Sequence, residues 1–177
     1  PMPSAFLSLL ETGPLLMDGA WGTEFLAKGL SSGENPDNWN LTRGNLVLEV
    51  ASSYVSAGSR GILTNTFGAN RLRLAGSGLE GRVCEMNREG AALSLKAAGQ
   101  VAKVFASLGP TGKILAAGEV DPSEVRFAFA EQAKVLASAG VFALVLETFS
   151  ELEEALLALA AAKETGLPVA ACMAFDS

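Results

Sequence analysis

Five short apolar runs, Leu15 to Asp18, Gly61 to Thr64, Val104 to Leu108, Phe142 to Leu146 and Pro168 to Phe175, recur along the chain with helix-patterned stretches between them. This alternation is the strongest constraint on the fold. Val47, Val50, Ala51 and Tyr54 form one helical face. Val125, Ala128, Phe129, Gln132, Val135 and Leu136 form a second, and Leu152, Ala155, Leu156 and Leu159 a third. Leu79 to Ala98 reads as a further helix despite an interior glycine, Gly90. Asp121-Pro122 and the pair Ser150 and Glu153 supply helix-start signals. Strands alternating with helices imply consecutive βα units and a parallel sheet, expected as one domain over residues 1–177.

Composition supports a layered α/β architecture. Apolar residues make up 49% of the chain and charged residues 18%, so many elements are expected to be buried on more than one side. No apolar run reaches the ~18 residues of a membrane span, and Pro1 to Leu10 lacks the basic start and apolar core of a leader. A cytoplasmic protein is expected, with no membrane association. The net charge of −6 argues against nucleic acid, which needs clustered Lys and Arg, and favours a small-molecule ligand. Histidine is absent altogether, which removes Ser-His-Asp and Cys-His pairs and His-ligated metals. Cys84 and Cys172 show no metal-knuckle spacing and read as buried thiols.

Ser56 to Phe67, SAGSRGILTNTF, lies over Ser138 to Phe149, SAGVFALVLETF, with Ser, Ala, Gly, Thr and Phe repeated in place. The overlay makes Asn65 and Glu147 equivalent strand ends. In parallel α/β folds ligands bind at the carboxyl ends of strands, where Asp18, Asn65, Gly109 and Glu147 are all expected. A carboxylate after the apolar run FALVL needs a donor, either a bound ammonium or a rim Arg or Lys. Asp18 has two readings, as a cap for a helix starting near Gly22 or as part of a ligand site. Gly19, Ala20 and Gly22 favour the second, because small residues let backbone amides approach an anion. Acids for an ammonium beside amides for a carboxylate match an amino-acid-like zwitterion. GPTGK, Gly109 to Lys113, lacks the spacing of a P-loop and reads as a strand-end turn whose Thr111 is available to a ligand. Trp21 and Trp39 read as packing residues, and Ser31 to Asn40 as a polar loop over the rim.

DGAWGT (Asp18 to Thr23), LTNTFGAN (Leu63 to Asn70), GPTGK and LETF (Leu146 to Phe149) together resemble the homocysteine S-methyltransferase family, in matching order and over nearly the whole chain. The resemblance implies a TIM-type (β/α)₈ barrel, incomplete here at about five strands and four to five helices. It implies that Asp18 and Glu147 hold the substrate ammonium and that the backbone of Gly19 and Ala20 takes its carboxylate. Thr64 matches a position near the substrate, and Trp21 stands where the family more often has methionine. Family chemistry uses zinc on three cysteine thiolates, which lowers the thiol pKa of homocysteine so that a thiolate attacks the methyl donor. Those cysteines lie in later motifs, after the sixth and eighth strands, and neither motif is present, so no catalytic or metal residue is expected in this chain.

Homocysteine and a methyl donor are the expected partners, the donor being betaine, S-methylmethionine or a methylcorrinoid. Five strands leave two open edges. The rest of the barrel is expected from further sequence of a longer protein, with a homo-oligomer as the alternative. Other readings are a non-catalytic half-barrel that binds a small amino acid or acts as an assembly subunit, and a lyase or aldolase using Lys113.

Overall fold

The computed structural model describes Ser8, Leu9, Glu11 and residues 13–175, so most of the stretch read for a leader lies outside the described residues. Four parallel strands, β1 (Gly61–Leu63), β2 (Lys103–Leu108), β3 (Ala143–Phe149) and β4 (Val169–Met173), pair in chain order. Among the described residues seven α-helices accompany them: α1 (Trp21–Ala27), α2 (Trp39–Thr42), α3 (Gly44–Ala57), α4 (Arg71–Ala75), α5 (Val83–Ala98), α6 (Pro122–Ser138) and α7 (Leu152–Lys163). Short 3₁₀ turns occupy Pro36–Asn38, Glu80–Arg82 and Leu115–Ala117. Parallel strands in sequential order, each joined to the next through helix, are the βα progression of a TIM-type barrel.

The first expected strand is reduced to one bridge, Met17 to Gly61. Leu15 to Asp18 still runs beside β1, with the amides of Arg60 and Gly61 donating to Leu16 O at 2.8 and 3.0 Å and Asp18 N donating to Gly61 O at 3.0 Å. β1 is only three residues long, so the ladder cannot extend further. The two repeated segments occupy equivalent places. Each ends a helix, turns through a left-handed glycine (Gly58 φ 112°, Gly140 φ 88°) and enters a strand.

α3 buries Val47, Val50 and Ala51, and α6 buries Val125, Ala128, Phe129, Gln132 and Leu136, following the apolar patterns. Asp121 caps α6, accepting from Ser123 N at 2.7 Å. The expected helix from Leu79 splits, because Glu80–Arg82 is 3₁₀ and α5 begins at Val83.

α7 departs from its pattern. Glu154, Ala155, Ala158, Ala161 and Ala162 face inward, whereas Leu152 and Leu156 are exposed. The alanines allow close approach, and the buried Glu154 carboxylate accepts from Thr111 N at 2.7 Å and Thr111 Oγ1 at 2.6 Å, which sets the helix rotation. Thr111 is therefore committed to α7 rather than open to a ligand. The Ser150–Glu153 capping box does not form. Glu151 is the N-cap residue, and its carboxylate accepts from Leu115 N and Ala116 N at 3.1 and 2.8 Å. Both cysteines are exposed, Cys84 on the outer side of α5 and Cys172 in β4, which overturns their reading as buried thiols.

Gly90 sits inside α5 for a packing reason. A Cβ there would lie 2.5 Å from Asn40 Nδ2, 2.8 Å from Thr66 Cγ2 and 3.1 Å from Asn65 O. Asn40 Nδ2 donates to Asn65 O and Met86 O at 2.7 and 3.1 Å, so it cannot move without losing both bonds. Alanine would gain ~1 kcal/mol of helix propensity. Overpacking costs ~1–3 kcal/mol and each strained hydrogen bond ~1 kcal/mol. Gly90→Ala is expected to destabilise the protein by about 2 kcal/mol in urea unfolding; a variant as stable as the parent would contradict this account.

Candidate functional site

At the carboxyl ends of β1, β2 and β3 lies a cavity of about 260 Å³, lined by residues that include Gly19, Ala20, Thr64, Asn65, Ser107 and Glu147. It is smaller than the ~300–1,000 Å³ of sites for drug-sized ligands, a size suited to a small amino acid. Trp21, Phe25, Pro36, Leu63 and Phe67 give it apolar walls. Phe67 is held against the backbone of Gly109, where a Cβ would come within 2.4 Å of its ring, and Arg73 stacks on it at 5.3 Å.

Asp18 does not cap α1. The helix has Ala20 as its N-cap residue with no side-chain bond. Asp18 Oδ2 instead accepts from Trp21 Nε1 and from Leu63 N, both at 2.7 Å. Its other oxygen, Oδ1, is buried and unpaired. Burial pushes the Asp18 carboxyl above its ordinary pKa of 3.8, against the lowering effect of those two donors.

Glu147 lies within β3 rather than at its end. The β3–β4 register shifts between Leu146 and Phe149, and the next residue, Thr148, has φ 66°. A β-branched residue rarely adopts this left-handed backbone, so the strand is locally strained where it presents Glu147. Ser107 Oγ donates to Glu147 Oε1. Burial raises the Glu147 pKa, the Ser107 bond lowers it, and the negative charge of Asp18 raises it further. The ion pairs formed among the described residues are Lys28–Glu49, Arg71–Glu131, Arg82–Glu85 and Arg126–Glu164. None reaches Asp18 or Glu147, so Glu147 faces the cavity with the negative charge of Asp18 behind the lining and without a protein cation, and the rim Arg or Lys expected as one alternative does not appear among the described residues.

The family model for homocysteine S-methyltransferase matches residues 15–177. The chain belongs to the homocysteine S-methyltransferase family. It is 27% identical over 159 residues to methionine synthase of Mycobacterium tuberculosis, a match covering 82% of this chain and 13% of that protein. Methionine synthase of Mycobacterium leprae is 26% identical with the same coverage. The homocysteine methyltransferase MmuM from Escherichia coli, in a crystal structure of its metallated form, aligns with a TM-score of 0.77 and 25% identity, over 95% of this chain and 65% of that one. The chain thus spans a small part of the methionine synthases and somewhat under two thirds of MmuM.

Within this family member, five of the six residues singled out from the sequence line one cavity, and Asp18 stands immediately beside them. Their polar groups are not equally free. Thr64 Oγ1 donates to Thr66 Oγ1 at 2.5 Å and accepts from Ser107 N at 3.0 Å, because the Thr66 hydroxyl donates onward to Ser107 O at 2.8 Å. Asn65 Nδ2 donates to Pro36 O at 2.9 Å and Asn40 Oδ1 at 3.0 Å, so its side chain ties the rim loop down rather than reaching into the cavity. Ser107 was missed by pattern reading. Its signal was a lone polar residue one step before the end of an apolar run.

The metal-ligand set implied by family resemblance does not fit these residues. No group of three or more His, Cys, Asp or Glu suited to a metal occurs among the described residues, and the two cysteines lie apart on exposed faces.

Proposed function

We propose that this cavity binds the amino-acid end of homocysteine, as the substrate-holding part of a protein that transfers a methyl group to the homocysteine thiol. The observation that carries the reading is the unpaired, buried Oδ1 of Asp18 beside a Glu147 that no protein cation neutralises. An ammonium supplies what both lack: donors for the free oxygen and a positive charge that relieves the repulsion. The exposed, small residues Gly19 and Ala20 leave backbone amides open to the ligand carboxylate at the start of α1. The apolar walls then receive the side chain. What these residues do is bind and orient; sulfur activation and the choice among betaine, S-methylmethionine and a methylcorrinoid depend on groups they do not include.

Calorimetric titration of the 177-residue chain with L-homocysteine and with 4-sulfanylbutanoate, the same molecule without its amine, tests the assignment. Homocysteine is expected to bind at least ~30-fold more tightly, on the scale of one charge-assisted pair. Equal binding of the two ligands would defeat it.

A further inference from the structure

Asp18 is held at three points. Its amide donates to Gly61 O at 3.0 Å, which fixes the main chain against β1. Leu63 N donates to Oδ2 from the end of the same strand, a donor whose position the sheet dictates. The third point is different in kind, because it comes from a side chain. Trp21 Nε1 donates to the same Oδ2 at 2.7 Å.

The indole is itself set by packing. Its ring meets Phe25 edge-on at 5.8 Å, and Phe25, fully buried, meets the equally buried Trp39 at 5.1 Å. The turn between Asp18 and Trp21 is closed by Tyr54, whose hydroxyl donates to Ala20 O at 3.0 Å and lies 3.1 Å from where a Gly19 Cβ would stand. With two donors on one oxygen, rotation of the carboxylate is opposed, and Oδ1 stays as the unpaired atom. Without the indole donor, Leu63 N alone would hold Oδ2, and the carboxylate would be free to turn or to take up a proton.

We infer that Trp21 is a positioning residue: its indole N–H, with Leu63 N, locks the Asp18 carboxylate by Oδ2 and leaves the buried Oδ1 as the atom without a protein partner, reserved for the ligand ammonium. This rests on the homocysteine reading above. It gives Trp21 a role beyond packing, through one hydrogen bond that phenylalanine cannot make.

The test uses the full chain and Trp21→Phe, which keeps an aromatic ring against Phe25 but removes the donor. Two measurements are made, the titration of the Asp18 side-chain carbon by NMR and the affinities for L-homocysteine and 4-sulfanylbutanoate. The expected result is an upward move of the Asp18 titration midpoint and a roughly tenfold loss of homocysteine affinity, as for one hydrogen bond to a charged group. Binding of the amine-free analogue should be little changed, and thermal unfolding of the variant should stay close to that of the parent. An unmoved Asp18 midpoint overturns the inference, as does an equal loss for both ligands, which would make Trp21 a wall and nothing more. Failure of the underlying reading looks different: the unmutated chain would then not distinguish homocysteine from its analogue, while the Asp18 midpoint would still report whether Trp21 holds the carboxylate.

Discussion

Glu147→Gln is expected to weaken homocysteine binding by about a hundredfold while leaving binding of 4-sulfanylbutanoate unchanged or slightly improved. The substitution keeps the size and the oxygen that accepts from Ser107 but removes the charge facing Asp18. Truncating one member of a buried charge pair costs ~2–5 kcal/mol, and a hundredfold corresponds to about 2.7 kcal/mol. The amine-free ligand never uses that charge, so it separates loss of the ammonium contact from general damage to the cavity. The pH dependence has a definite sign. Both carboxyls are held above their ordinary pKa values, chiefly by burial, so each stays protonated to higher pH than a free acid. Only the ionised forms attract an ammonium, and homocysteine affinity is therefore expected to rise as pH rises through the acidic range. In Glu147→Gln this rise should become shallower, because one of the two titrating groups is gone. An affinity within threefold of the parent would remove Glu147 from the ammonium contact.

Asp37→Asn is expected to stabilise the protein at neutral pH by about 3 kcal/mol. Asp37 belongs to the 3₁₀ turn beside Pro36 on the cavity rim and is almost fully buried. It accepts from Gly68 N at 3.2 Å, and burial pushes its pKa from 3.8 up to about 6 despite that bond and the nearby Arg73. The sign follows from a folded-state pKa that lies above the unfolded one. The folded protein holds the proton more tightly, so this group's contribution is fully present below about pH 3.8 and is lost as pH rises to about 6. Asparagine mimics the protonated acid at every pH. Parent and variant should be nearly equal in stability near pH 4 and diverge up to pH 7, where the gap between 3.8 and about 6 corresponds to about 3 kcal/mol. Urea unfolding across that range measures it. A variant less stable than the parent at pH 7 would show that attraction to Arg73 outweighs the cost of burying the charge.

The apolar faces of α3 and α6 were readable because their period matched helical geometry and nothing polar competed. α7 was misread for an identifiable reason. Alanine carries too little hydrophobic signal to outvote leucine in a pattern, yet Ala155, Ala158, Ala161 and Ala162 are the residues that pack, and Glu154 turns the helix toward Thr111. The edge position of the Leu15 to Asp18 stretch was equally hidden, since its apolar run does not reveal how short its neighbour β1 is. Trp39 packs as its residue type suggested, against Phe25, but the polar rim loop concealed a buried Asp37, whose carboxylate meets Gly68 N from a distant part of the chain.

From residue order alone came the βα progression, the two acids that close apolar runs and the small residues after Asp18, because these depend on local periodicity and on which side chains a turn can carry. The family resemblance rests on the same short stretches. Tertiary structure decided which polar atoms remain free. Thr64 and Asn65 spend their hydrogen bonds inside the protein, Glu147 leans on a serine from the neighbouring strand, and one Asp18 oxygen is satisfied twice while the other has no partner. Hydrogen-bond satisfaction is a property of groups brought together from across the chain, and no local pattern encodes it.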